Sequence, residues 1–567
     1  MGTLAAYGVR RVYGVAGDSL NGITDAIRRR GDMAWVHVRH EETAGFAAGA
    51  EAHLTGRLAV CAGSCGPGNL HLINGLFDAH RSRVPVLAIA AQIPSVEIGT
   101  GYFQETRPME LFRGCSDFAE EVTRAEQMPR LLEIAAQSAI ARRSVSVLVL
   151  PGDVALEPAV FDPPAERTLP GPASVTPAPD DIGQLADRLG SAAKITILAG
   201  AGCAGARAEV LELAARLRAP IVHTIRGKEH VETDNPFDVG MTGLLGFSSG
   251  YHAMMDCDLL LLLGTDFPYR QFYPDGAAIV QIDLRGEQLG RRARLDLGLV
   301  GDVRSTLTAL LPHLNPKTDD RHLLGATEHY RATRAKLDDL AVGPPGVQPI
   351  HPQYVARLVN QLAADDAIFT CDVGTPTVWA ARYLRMNGKR RLLGSFVHGS
   401  MAGGLPQAIG AQLTFPKRQV VALCGDGGLS MLLGDLLTLR QVNAPVKVVV
   451  FSNGALEFVE LEMESAGFLP FATDLVNPDF AGIARAAGLH GATVDLPEQV
   501  APALTDAFQH PGPALVDVRV NRQEIVMPPS IKADVVKGFT LFALKAVFNG
   551  RGSEVVDLAR TNLFRGE

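Results

Sequence analysis

The stretch QVVALCGDGG, residues 419–428, decides the fold. Val420 to Cys424 form an unbroken apolar run, which is the pattern of a strand buried on both faces of a parallel sheet. A second run, VKVVVF at 446–451, has the same character and ends in Ser452-Asn453-Gly454. Parallel neighbours require a crossover, and the intervening residues are long enough to supply a helix. Asp426 and Asn453 therefore stand at the carboxyl ends of two strands, where an open α/β sheet forms its ligand crevice. Their side-chain oxygens suit a hard cation such as Mg²⁺, which binds through a few protein oxygens plus phosphate oxygens. Gly427 and Gly428 let backbone N–H groups approach a phosphate closely. A tight turn alone would account for GDGG. Together with the second strand ending in Asn, the pair reads as a metal–diphosphate clamp.

Outward from the clamp, apolar strands and helical segments alternate along most of the 567 residues. A chain of this length, 47% hydrophobic and 20% charged, exceeds one core and predicts about three α/β domains. The first, residues 1–170, contains strand patterns at 34–38, 58–62, 84–91 and 145–150. The Pro-rich stretch 151–179 reads as a linker. The second, 180–340, shows strands at 194–198, 220–224, 259–263 and 278–283, and GPPGVQPIHP at 343–352 closes it. The third, 350–523, holds strands at 367–372 and 514–520 around the two clamp strands. No sequence repeat is visible, although the rhythm recurs.

Beyond Pro528-Pro529 lies a tail, 524–567. Val535, Val536, Phe539, Phe542, Ala543, Ala546 and Val547 form an apolar stripe at helical spacing, and Val555, Val556, Ala559 and Leu563 suggest a second helix. From Ile531 onward the tail has six Lys/Arg against four Asp/Glu, a net of +2 on a chain of −8, which leaves about −10 for the rest. That polarity suits an anionic membrane surface. A helix docked on its own domain fits the stripe equally well. The acidic total and the lack of a basic stripe argue against nucleic acid as a partner. Seven scattered cysteines without a CxxC pair suit reduced, buried thiols in a cytosolic compartment. The start, MGTLAAYGVRR, has neither a signal nor a transit character.

The clamp resembles the motif of the thiamine diphosphate (ThDP) enzymes, GDG followed on the next strand by Asn-Asn. Ser452 replaces the first Asn. The resemblance implies that Asp426, Asn453 and the Ala455 carbonyl hold Mg²⁺, and that Gly427, Gly428 and residues Gly454 to Val459, including Leu456 and Glu457, surround the cofactor. A carboxyl group must drive the aminopyrimidine to its imino form. Glu41, in Arg39-His40-Glu41-Glu42, is the candidate and Glu42 its rival. Gly399, Ser400 and Met401 resemble the segment supporting the bent cofactor, and GSCGPGN at 63–69 the family's Gly-Pro-Gly loop. Phe103, Gln104 and Phe458 resemble residues lining a small keto-acid pocket. For each aromatic, plain core packing is the competing role.

Over essentially its whole length the chain is similar to the bacterial pyruvate:quinone oxidoreductases within this family. The segments that carry the likeness are RHEE, AGSCGPGNLHLINGLFDAHR, GYFQET, RGKEHVE, GMTGLLGFSSG, CDVGTPTVWAARYL and KGFTLFALKAV. The resemblance implies three doubly wound parallel-sheet domains: pyrimidine-binding, FAD-binding and diphosphate-binding. It also implies an amphipathic, membrane-binding tail. Pyruvate would be oxidised to acetate and CO₂, electrons passing through FAD to ubiquinone at the cytoplasmic face of the inner membrane. FAD contacts would fall on Thr242, Gly243, Leu244, Leu245, Thr265 and Asp283. Each active site would lie between subunits of a homotetramer. Acetolactate synthases share the fold but read Gln-His-Gln where this chain has Thr375-Pro376-Thr377, and they lack the tail. Phosphate-dependent pyruvate oxidases lack the tail too. A non-catalytic relative would have lost Glu41 or Asp426. The family's opening helix starts several residues earlier, so Leu4 to Tyr7 is expected to be a shortened remnant that weakens packing at that edge.

Overall fold

The computed structural model describes residues 1–158, 171, 173–343, 349–522, 524 and 533–548. Three six-stranded, wholly parallel sheets carry helices on both faces. The first contains β1 (Arg11–Gly14), β2 (Ala34–His37), β3 (Ala59–Gly63), β4 (Val86–Gln92), β5 (Phe118–Glu121) and β6 (Val145–Pro151). Its order is β2-β1-β3-β4-β6-β5. The third contains β13 (Ile368–Cys371), β14 (Arg391–Gly394), β15 (Val420–Gly425), β16 (Lys447–Ser452), β17 (His490–Val494) and β18 (Ala514–Arg519), in the equivalent order β14-β13-β15-β16-β18-β17. The architecture of the first domain thus recurs in the third without a visible sequence repeat.

The middle sheet differs. It contains β7 (Ile195–Ala199), β8 (Ile221–His223), β9 (Asp238–Met241), β10 (Leu259–Leu263), β11 (Ala278–Asp283) and β12 (Leu297–Val300), ordered β12-β11-β10-β7-β8-β9. This order reverses between β7 and β10, the switch point at which dinucleotide-binding sheets open a crevice. Central strands are predominantly apolar, Leu259–Leu263 wholly so, because helices cover both faces.

The first and third domains are packed tightly within one chain. The helix Glu41–Thr55 lies on the helix Gly404–Thr414 so closely that a Cβ at Gly410 would stand 2.2 Å from the Ala47 carbonyl oxygen. Thr43 Oγ1 donates to Asp435 Oδ2 at 2.6 Å, and Ser395 Oγ to Asp78 Oδ1 at 2.8 Å. At the start of the chain, the short helix Gly2–Ala6 buries Leu4 completely in the first core.

Of the tail, the helix Ala533–Phe548 is described. It packs on the helix Glu457–Ser465, burying Phe542 and Ala546, while Lys545 Nζ donates to the Gly467 carbonyl at 2.8 Å and sits over the Phe468 ring. Leu541, Leu544 and Val547 remain 44%, 53% and 61% exposed, so docking consumes only part of the apolar surface. The side chains of Val535, Val536 and Phe539, and the whole second helix expected around Val555 to Leu563, lie outside the described residues. No helix among the described residues is long and apolar enough to cross a membrane. All seven cysteines are free and buried.

Candidate active site

Asp426 begins a short helix directly after β15 and is 3% exposed. Its Oδ2 accepts from Asn453 N at 3.0 Å, Gly454 N at 2.7 Å and Asn477 Nδ2 at 2.6 Å, and its Oδ1 from Gly427 N at 2.9 Å. The strand ends therefore meet as the sequence pattern requires: β15 supplies the carboxylate and the turn after β16 closes on it. Asn453 Oδ1 accepts from Ala455 N at 3.0 Å, and Asn453 Nδ2 donates to Glu457 Oε2 at 2.7 Å. Ser452 points away, its hydroxyl donating to the buried Asp517 Oδ1 at 2.5 Å.

The glycines are sterically demanded. A Cβ at Gly428 would stand 2.3 Å from Asp372 Oδ2, and one at Gly427 would stand 3.2 Å from Met401 Cε. Asp372 lies beneath the clamp, accepts from Gly404 N at 2.8 Å and Gly425 N at 3.2 Å, and is pushed up to about 7 by burial. Gly399 and Gly454 take φ of +84° and +72°, and Ala402 takes +63°, a left-handed conformation that L-residues avoid. The Ser400–Met401 pair is thus flanked by two left-handed residues, Gly399 and Ala402. Hard oxygen donors beside a recess that side chains would fill fit a Mg²⁺–diphosphate group.

Clamp, support segment and middle domain open into one cavity of about 870 Å³. Gly399, Met401, Asp426, Gly427, Gly428, Asn453, Ala455, Leu456, Glu457, Phe458 and Val459 line it at one end. At the other, Thr242, Gly243, Leu244, Leu245, Thr265 and Asp283 line the crevice beyond the carboxyl ends of the middle strands. The Thr242 hydroxyl is buried without a partner among the described residues. Arg83 and Arg143, each at a left-handed helix C-cap of the first domain, join Arg226 and Arg285 there. Burial and the neighbouring Arg83 push Arg226 down to about 10. Crowded guanidiniums beside a buried unpartnered hydroxyl at a switch point fit the diphosphate and polar groups of a dinucleotide such as FAD.

Not every expected site residue meets the clamp. Glu41, 6% exposed, is the first residue of a helix that His40 caps, and it bonds to His71 Nδ1 at 2.9 Å. A Cβ at Gly68 would stand 3.0 Å from Glu41 Oε1, so the GPG loop leaves room for this carboxylate. Glu42 turns instead to Asn74, whose Nδ2 donates to Glu42 Oε1 at 2.7 Å and to Ser400 Oγ at 2.8 Å. Neither acid lines the clamp cavity. Phe103 is 78% exposed, and Gln104 lies beside Cys65, also outside the cavity. Within one chain, then, none of these first-domain candidates lines the clamp cavity.

Sequence reasoning missed Asn477, His71 and the four arginines. Asn477 and His71 carry no local signal. Arg226 follows β8, and the strand-end rule that singled out Asp426 would have found it.

Comparison with known proteins follows the same division. The descriptions "Thiamine pyrophosphate enzyme, N-terminal TPP binding domain", "central domain" and "C-terminal TPP binding domain" match residues 1–111, 182–310 and 372–518. The chain is 62% identical over 62% of its length to an uncharacterized 42.6 kDa protein of Pseudomonas amyloderamosa, covering 88% of that protein. It is 37% identical over 98% of its length to the Bacillus subtilis protein described as "Putative thiamine pyrophosphate-containing protein YdaP", covering 97% of it. It is 30% identical over 94% of its length to pyruvate oxidase of Lactiplantibacillus plantarum, covering 89%. Several acetolactate synthases match at 30–31% over 93% of the chain. With all three domains matched and the clamp geometry in place, the chain belongs to the thiamine pyrophosphate enzyme family and is a ThDP-dependent enzyme related to pyruvate oxidase and acetolactate synthase.

Proposed function

We propose that this enzyme is a peripheral-membrane flavoprotein that oxidatively decarboxylates pyruvate, with ThDP, Mg²⁺ and FAD bound, and passes the electrons to ubiquinone. One observation supports the reading: the clamp and the dinucleotide crevice share a single cavity, so electrons released at the clamp would have a route to an acceptor bound in the crevice. The overall change is pyruvate, water and quinone to acetate, carbon dioxide and quinol. ThDP supplies the electron sink that lets a 2-oxo acid lose carbon dioxide, and FAD the two-electron acceptor.

The chain's own residues do the rest. Asp426, Asn453 and the Ala455 carbonyl would hold the metal, and Met401 the cofactor's bend. Thr242 and the arginines from two domains would hold FAD through charge-assisted bonds to its diphosphate. Glu41 would hold the proton at the aminopyrimidine ring. Glu41, Phe103 and Gln104 do not line their own chain's clamp cavity, which supports a reading in which a neighbouring subunit's first domain would complete each site, within a homotetramer. Phe103, Gln104 and Phe458 would then enclose the keto acid and exclude water. The apolar residues left exposed on the helix 533–548 would meet an anionic lipid surface at the cytoplasmic face of the inner membrane.

Against a carboligase speaks Thr375-Pro376-Thr377, which lines the clamp cavity at the place where the family resemblance would have an acetolactate synthase read Gln-His-Gln. The test is product balance. Anaerobic turnover of pyruvate with a soluble quinone is expected to yield acetate, CO₂ and quinol in equal amounts. Acetolactate without quinol formation would overturn the proposal.

A further inference from the structure

An asparagine that ligates a cation has two faces. Its oxygen binds the metal and its NH₂ group repels it, and a half-turn of the amide exchanges the two. Something must fix the orientation, and at Asn453 the Ala455 N–H, donating to Oδ1 at 3.0 Å, shares that task with a side chain on the NH₂ side. Glu457 Oε2 receives Asn453 Nδ2 at 2.7 Å, and an oxygen accepting at that place holds the NH₂ side of the amide toward itself.

Glu457 is itself immobile. It is 4% exposed, and its Oε1 accepts the Glu524 backbone N–H at 3.3 Å, with the Thr375 hydroxyl bonded to the same carboxyl group. Glu524, fully buried, is pinned in turn by His351 Nδ1 at 2.8 Å, Gln353 Nε2 at 2.5 Å and Asn521 Nδ2 at 3.1 Å. No ion pair to Glu457 occurs among the described residues. A buried carboxyl with only neutral partners is a costly way to begin a helix that a leucine would begin as well.

We propose that Glu457 is a positioning residue whose carboxyl group locks the Asn453 amide, so that Asn453 Oδ1 is presented to the metal of the ThDP site. This rests on the reading of Asp426 and Asn453 as a metal clamp. Partners that orient metal ligands are typically worth about ten- to hundredfold in metal affinity.

The experiment is a Mn²⁺ titration of the full-length, metal-stripped protein with saturating ThDP, read by the paramagnetic resonance signal of free Mn²⁺. Glu457→Leu is expected to weaken Mn²⁺ binding about ten- to hundredfold. Glu457→Gln should lose less, because its amide oxygen still receives Asn453 Nδ2 while its NH₂ opposes the Glu524 N–H. The metal-free melting temperature of Glu457→Leu should be no lower than that of the natural protein, whereas the rise in melting temperature on adding metal should shrink. Asp426→Ala separates the two levels. If it abolishes binding while both Glu457 variants bind as tightly as the natural protein, the role given to Glu457 is overturned. If Asp426→Ala also leaves binding unchanged, the clamp reading falls, and Glu457 with it. Should Glu457→Leu fail to fold, the Glu457→Gln titration decides alone, and unaltered affinity there contradicts the proposal.

Discussion

Asp426 collects four N–H donors on two buried oxygens, and its neighbours are chosen for space as much as for charge. Gly428→Ala would drive a Cβ to 2.3 Å from Asp372 Oδ2. The expected cost is about 1–3 kcal/mol of stability together with weaker ThDP binding. Thermal melting and cofactor titration check both, and a variant with natural melting and affinity would contradict the packing argument. Glu41→Gln keeps shape and hydrogen bonding but cannot exchange a proton. Turnover should fall about 10²- to 10⁴-fold with ThDP affinity little changed. A steady-state assay beside a binding isotherm separates this from misfolding. Asp426 and Asn453 were legible in the sequence because each ends an apolar run, a position with geometric meaning in any doubly wound sheet. Asn477 and His71 were not, since each reaches its carboxylate from a loop or helix face whose placement depends on tertiary packing.

At the scale of elements, most central strands announced themselves and most edges did not, the interior β1 and the edge β2 being the exceptions. β5 (FAEE), β12 (LGLV) and β17 (HGATV) lie at sheet edges, are half-exposed, and lack the continuous apolar run that burial on both faces imposes. The middle sheet also holds a buried polar pair. His223 Nε2 lies 3.6 Å from Asp238 Oδ1. Burial and Lys228 push His223 down to about 4, while burial and Glu232 push Asp238 up to about 7. The two have opposite linkage. Asp238, raised from 3.8, contributes stability that is full below pH 3.8 and is lost as pH rises through about 7. His223, depressed from 6.5, contributes stability present above pH 6.5 and lost as pH falls through about 4. Replacing Asp238 by Asn should therefore cost most at acidic pH and progressively less toward neutrality, with a swing of no more than about 4 kcal/mol. Denaturant melts of both proteins across that range test it, and a difference that grows with pH would refute the assignment. On the tail helix, Leu541→Ser, Leu544→Ser and Val547→Ser together should abolish binding to anionic vesicles without lowering turnover in solution. Vesicle binding equal to that of the natural protein would leave the helix with a docking role only.

For the whole molecule, the same strand order in the first and third sheets places two equivalent domains around a middle sheet of different order. Three α/β domains were readable from length and rhythm. The repeat was hidden because topology is preserved where side chains are not. The separation of Glu41 from its own chain's clamp has a sharp consequence. Glu41→Gln and Asp426→Ala, each inactive alone, should recover activity when co-expressed as mixed oligomers, because one class of site then receives an intact Glu41 and an intact Asp426 from different subunits. No recovery in purified mixed oligomers would mean that each chain builds its own site. The central claim is that clamp and crevice form one electron path. Its most direct measurement is anaerobic stopped-flow absorbance of the FAD-loaded enzyme with ThDP and Mg²⁺ on mixing with pyruvate. The account predicts bleaching of the flavin within a turnover and acetate as product; FAD that stays oxidised while acetolactate accumulates would contradict it.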